Sequence, residues 1–187
     1  AVQLLPRVDL LWYKYVYVEE LAGDIPKART VFSRWMQWHP DSKAWMSYAK
    51  FEDRHGFSER AEQVLREFVN ANPTASSFGK FAQWAERSGR IPLARTIYEG
   101  AMQELEAEEV QQANLFRQFA TMEERQGEYE RARMIYQHAI KLFGLGTASL
   151  ETAETDEEVP TWEKTQREEL YKSYLAFEKK HGDPTAI

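Results

Sequence analysis

One pattern limits what this chain can fold into more than any other: the same spacing of aromatic, small and glycine residues returns five times. Taking Trp12, Trp45, Phe78, Phe116 and Tyr171 as position zero, a second aromatic follows three residues on, at Tyr15, Tyr48, Phe81, Phe119 and Tyr174. Position six holds Val18, Phe51, Trp84, Met122 and Phe177, and position eleven is always glycine: Gly23, Gly56, Gly89, Gly127 and Gly182. In the first four stretches position sixteen is an alanine (Ala28, Ala61, Ala94, Ala132), and an apolar pair such as Val31-Phe32 or Ile135-Tyr136 follows. Self-similarity of this kind marks a repeat architecture, whose units bury their apolar faces by stacking on one another.

Spacings of three and four put the aromatics on one helical face, so positions zero to about ten predict a first helix, A. The glycine then ends it in the left-handed conformation of a helix C-terminus, where a side chain is costly. A second helix, B, begins just beyond, with Pro26 and Pro92 in its first turn and Ser58 as a candidate N-cap. The alanine lets B approach A closely. Pro40 and Pro73 close the first two units, and Asp41 and Thr74 stand where they can cap the next helix A. Each unit therefore reads as a helical hairpin, and the chain as an all-α, right-handed α-solenoid of about nine main helices.

The predicted units are 12–40, 45–73, 78–104 and 116–143, with a half unit at 169–183, in a single array over 1–187. Ala1 to Leu5 read as the last turn of an earlier helix B. With half units at both ends and no initiator Met, the sequence is expected to be a fragment of a longer protein. Residues 144–168 read as an acidic loop inserted into the array, rich in Thr, Glu and Asp, with Trp162 as its one strong anchor. A shorter acidic stretch, Glu104 to Glu109, is expected to let the third helix B run on. The tryptophans at repeat positions are expected to be core; Trp35 and Trp38, near the end of the first helix B, are also expected to pack.

Charge follows the repeat. Position seven carries Glu19, Glu52, Ala85, Glu123 and Glu178, and position seventeen carries Arg29, Glu62, Arg95 and Arg133. Matching helix B of one unit with helix A of the next gives Arg29 with Glu52, Arg95 with Glu123 and Arg133 with Glu178. Where the arginine has become Glu62, its counterpart is the uncharged Ala85. These pairs are expected to lie between repeats and to set the stacking register.

Composition narrows function. The chain is 43% hydrophobic, enough for a core, and has no cysteine, so neither a disulfide framework nor a thiolate metal site is available. No stretch approaches the roughly 20 apolar residues of a membrane span. The formal charge is −6, and residues 144–187 alone carry 5 Lys/Arg against 10 Asp/Glu, which argues against nucleic acid as the main ligand. The four histidines lack zinc-binding spacing, and Gly144-Leu145-Gly146 is a lone turn rather than a phosphate loop. No cofactor, metal, small-molecule substrate or catalytic residue is expected.

The aromatic-x-x-aromatic-x-x-apolar-Glu pattern, followed by ARTVFSRW, ARTIYEGA and ARMIYQHA, resembles the HAT (half-a-TPR) repeat of RNA-processing assemblies. The blocks LPRVDLLWYKYVYVEE, FSRWMQWHP, ATMEERQGEYERARMIYQHAI and YLAFEKKHGD resemble, nearly in register, the amino-terminal half of a HAT-built nuclear pre-mRNA splicing factor. Ala85 and Gly100 depart from the pattern. The resemblance implies a nuclear, non-enzymatic scaffold whose partners are other splicing factors of the spliceosome and its NineTeen complex. Alternatives are a TPR-like peptide-binding adaptor outside splicing, and direct RNA binding, against which stands the lack of a repeated basic or base-reading position. An α/α-barrel enzyme is disfavoured by the strictness of the repeat.

Overall fold

The computed structural model describes residues 2, 4–105, 111–143 and 161–182. Among the described residues there are nine α-helices and no strand: α1 (Asp9–Leu21), α2 (Ile25–Met36), α3 (Ser42–Arg54), α4 (Ser58–Ala71), α5 (Ala75–Arg87), α6 (Ile91–Glu104), α7 (Gln111–Arg125), α8 (Tyr129–Leu142) and α9 (Thr161–His181). Odd-numbered helices hold the A positions of the repeat and even-numbered ones the B positions. The helices form two compact units, Ala1–Pro73 with α1–α4 and Thr74–Ile187 with α5–α9. Within the units the helices pair as hairpins, α1 with α2, α3 with α4, α5 with α6 and α7 with α8. No described helix is long and apolar enough to cross a membrane.

The turn inside each hairpin comes from its glycine. Gly23, Gly56, Gly89 and Gly127 have φ between +72° and +80°, a region that costs an L-residue roughly 1–2 kcal/mol. The hydrogen bonds around them repeat as well. Gly89 N–H donates to Glu86 O at 3.0 Å and Arg90 N–H reaches back to Ala85 O at 2.9 Å; the same pair of bonds closes α1, α3 and α7. This Schellman closure satisfies the last carbonyls of helix A and fixes where helix B starts. Gly182 differs. Its φ is not in the left-handed region, and its N–H donates to Glu178 O at 2.6 Å in the ordinary i→i−4 manner.

Helix starts match local chemistry. The Asp41 carboxylate accepts from Lys43 and Ala44 N–H, and Thr74 forms a capping box with Ser77. Pro26 and Pro92 sit in the first turn of α2 and α6. Ser58 is the first residue of α4 rather than its cap; Phe57 holds the cap position without a side-chain bond.

Within a hairpin, position zero faces position 23. Trp12 stacks on Trp35 with ring centroids 6.2 Å apart, and Trp45 on Phe68 at 5.9 Å. In the hairpins led by the smaller Phe78 and Phe116, position 23 is Ala101 and Ala139. The position-sixteen alanines Ala28, Ala61, Ala94 and Ala132 are fully buried, so a larger side chain there would force the helices apart.

Several expectations change. Of residues 1–5, 1 and 3 lie outside the described residues, 2 and 4 are in turns and 5 is irregular rather than helical: Pro6 disfavours helix at the residue before it, and the Trp12 indole N–H holds the Pro6 carbonyl at 2.8 Å. Trp35 is fully buried and donates to Asp9, but Trp38 lies in the turn beyond α2 and is half exposed. Helix α6 does not run on past Glu104, because Leu105 is extended at ψ 136°. Helix α9 begins at Thr161, eight residues before the predicted half unit; TWEKTQRE is made of helix-compatible residues and leads into the buried Leu170. The rest of the acidic insertion, 144–160, and residues 106–109 lie outside the described residues.

The glycine geometry predicts two opposite outcomes. A Cβ at Gly89 meets no atom, so Gly89→Ala should cost roughly 1–2 kcal/mol through backbone strain alone. Gly100, inside α6 and also in open space, should gain up to about 1 kcal/mol on Gly100→Ala. Urea unfolding of the two variants measures both signs.

Candidate functional site

The repeat positions meet at seams between successive hairpins. Within Ala1–Pro73, α2 lies against α3; within Thr74–Ile187, α6 lies against α7 and α8 against α9. Phe32 of α2 stacks on Tyr48 of α3 at 4.7 Å and 7°, and Tyr98 of α6 on Phe119 of α7 at 4.9 Å and 14°. Tyr136 of α8 meets Tyr174 of α9 at 5.8 Å. In each seam a position-twenty ring on helix B faces the position-three ring of the next helix A.

One turn along the same seam lies an ion pair. Arg29 donates from Nε and Nη2 to the two oxygens of Glu52 at 2.7 and 2.8 Å, and Arg95 does the same to Glu123 at 2.8 and 2.7 Å. Arg133 Nε donates to Glu178 Oε1 at 2.8 Å, while its other nitrogens reach Glu130 and the His181 carbonyl. The carboxylates of Glu52 and Glu123 are fully buried. The Arg29 guanidinium also covers the ring of Phe57 at 4.8 Å, and hydrogen bonding to the carboxylate raises its pKa.

A buried carboxylate without a partner would cost several kcal/mol, whereas a bidentate guanidinium satisfies both of its oxygens. A hairpin shifted by one helical turn would carry Glu123 about 5.4 Å along the helix from Arg95 and break both of its bonds. We propose that these pairs set the stacking register. Glu62, the exception in the pattern, bonds Arg66 one turn along its own helix. Glu19 is buried and bonds Lys27 of its own hairpin; no described helix B covers that side of α1, and Val18, whose equivalents are buried, is 57% exposed.

A second ladder was not read from the sequence. Position eight holds Glu20, Asp53, Glu86 and Glu124, and position nine holds Arg54, Arg87, Arg125 and Lys180. The structure joins position eight of one helix A to positions nine and ten of the next. Arg54 and His55 both bond Glu20, at 2.8 and 3.0 Å. Arg125 bonds Glu86 at 2.8 Å, and Lys180 and His181 bond Glu124, each at 2.9 Å. A basic position therefore does recur, and three of its four members are occupied by neighbouring carboxylates. Comparing positions eight and nine across units would have shown it.

The second ladder titrates. Partial burial pushes the Glu124 carboxyl upward, but hydrogen bonds and charge from Lys180 and His181 outweigh it and hold the pKa below its ordinary 4.5. Glu20 is lowered in the same way by Arg54 and His55. A carboxylate whose folded pKa is depressed contributes stability that is present above its unfolded value and lost as pH falls through the folded one. Glu124→Gln should therefore unfold at lower urea than the parent at neutral pH. The two midpoints should converge as pH drops below 4.5; a gap of constant size would refute the assignment.

Comparison with known proteins accords with this geometry. The family model described as Pre-mRNA-splicing factor Syf1/CRNKL1 C-terminal HAT repeat matches residues 2–145. The chain is similar to Pre-mRNA-splicing factor clf-1 of Neurospora crassa, 61% identical over 28 residues, which make up 15% of this chain and 4% of that relative. The chain thus matches only a small part of that curated relative. Among solved structures it is similar to the MamA protein, at 15% identity and a TM-score of 0.43, with 95% of this chain and 96% of that one covered. The blocks quoted from the sequence resemble the amino-terminal half of the Crooked neck splicing factor, while the family model is named for a C-terminal HAT region. With most of its length covered by that model, the chain belongs to the family of Syf1/CRNKL1 HAT repeats of pre-mRNA splicing factors.

Proposed function

We propose that the chain is a non-enzymatic protein–protein interaction scaffold for pre-mRNA splicing, acting in the nucleus within the spliceosome and its NineTeen complex. The family match over residues 2–145 carries this reading. The structure supports it physically. Aromatic stacks and buried ion pairs fix neighbouring hairpins inside each unit, so the side chains between the seams are presented on pre-ordered surfaces, which lowers the entropic cost of binding a partner. The fully buried carboxylates of Glu52 and Glu123 are held bidentately by arginines and are committed to packing rather than to acid–base work.

Cross-linking through lysines, followed by mass spectrometry of the tagged chain in nuclear extract, tests the proposal. Cross-links from exposed lysines such as Lys14 and Lys50 to other splicing factors are expected. Cross-links confined to proteins unconnected with splicing would contradict it.

A further inference from the structure

Along the A helices of the second unit runs a polar trough. Gln83 of α5 and Asn114 and Gln118 of α7 line two adjoining hollows of about 410 and 620 Å³. Gln166 of α9 borders the first hollow; Arg87 and Arg117 border the second.

The trough is shaped by an absence. Gly79 is buried beneath it, and a Cβ there would stand 2.7 Å from Gln118 Oε1. Glycine thus lets the Gln118 side chain lie across α5, where its Oε1 accepts from Gln83 Nε2 at 3.0 Å. That bond uses one donor and one acceptor, leaving Gln118 Nε2 and Gln83 Oε1 with capacity to spare. Asn114 Oδ1 accepts from Arg117 Nη2 at 2.7 Å, which orients both side chains. Gln166 Oε1 is buried with no hydrogen-bond partner among the described residues. Arg87 bonds a backbone carbonyl, and neither it nor Arg117 has a carboxylate partner among the described residues. Glu86, the acid beside them, is already held by Arg125.

Different occupants need different walls. A single-stranded nucleic acid needs exposed aromatic platforms for its bases, and the one ring bordering these hollows, Tyr98, is buried against Phe119. An amphipathic helix needs apolar anchor pockets, and here the apolar lining is limited to Ala75, Leu115 and the aliphatic stems of longer side chains. An extended polypeptide suits better: it offers alternating backbone N–H and C=O groups, which side-chain amides can meet as acceptor and donor. Two arginines without carboxylate partners then select acidic side chains, which guanidinium pairs with bidentately.

We propose that this trough binds an extended, acidic segment of a partner protein, with Gln83, Asn114 and Gln118 reading its backbone and Arg87 and Arg117 its carboxylates. The inference rests on the scaffold reading and gives it a partner class.

Fluorescence anisotropy of the 187-residue chain with a labelled, unstructured peptide of about ten residues, alternating Glu and Asp with Gly and Ser, tests it. Saturable binding is expected. Arg87→Glu with Arg117→Glu should weaken it at least about tenfold, and the charge-neutral pair Gln83→Ala with Gln118→Ala about fivefold, with circular dichroism and melting like the parent. Arg87→Gln, at an exposed residue, provides a milder variant whose folding is not at risk. Three results would overturn the proposal: no saturable binding, binding indifferent to Gln83→Ala with Gln118→Ala, or decauridine displacing the peptide at lower concentration than unlabelled peptide does. The outcome is separable from that of the cross-linking experiment: splicing factors could be captured through other faces while the peptide fails, and the peptide could bind where no splicing factor is captured.

Discussion

Burial of a charged glutamate beneath an arginine from the neighbouring hairpin is the constraint around which the rest of each unit is arranged. Glu52 and Glu123 have no exposed side-chain surface, and an ionised carboxylate in that position persists only with both oxygens bonded. The same residue serves the backbone. The carbonyls of Glu52 and Glu123 each accept the closing Schellman bond from the residue just after the turn glycine, Phe57 and Glu128. The residue whose carboxylate meets the preceding hairpin is thus the one from which its own hairpin turns back. Aromatic stacking one turn away adds area and shape. The ion pair adds an alignment that apolar packing alone leaves loose.

This arrangement divides labour among the faces. Helix B and one side of helix A are spent on the seams, where Ala28, Ala61, Ala94 and Ala132 bring the backbones close. Another side of helix A carries the second ladder and, in the second unit, the trough. Its charges lie nearer to solvent, with Arg54, Arg125 and Lys180 all more than half exposed, so each link is worth less than a buried pair and is weakened by salt. In the register proposed above, the inward positions set which hairpins stack, while these outer ones lie toward solvent.

Much of this was legible in the sequence because the repeat supplies its own alignment. Four of the five glycines at position eleven located the turns, and matching position seventeen with position seven named Arg29 with Glu52, Arg95 with Glu123 and Arg133 with Glu178 as partners; the structure places each pair at 2.7–2.8 Å. Signals without a repeat are harder to read. Gly182 has the residue type but not the left-handed backbone. Trp38 has the residue type of a core position, yet it lies beyond the last turn of α2. Thr161–Glu168 reads as loop because its acidity masks its helix propensity. The trough is invisible to motif reading because it depends on Gly79 having no side chain, a property of packing.

The claim that these pairs hold neighbouring hairpins together is tested most directly by a double-mutant cycle on Arg95 and Glu123, with urea unfolding of the parent, Arg95→Ala, Glu123→Ala and the double variant. A buried bidentate pair predicts strong non-additivity, with a coupling energy of about 1.5–3 kcal/mol and the double variant little worse than either single one. Additive losses, with coupling below about 0.5 kcal/mol, would show that the seam is held by apolar packing alone and that the ion pairs merely accompany it.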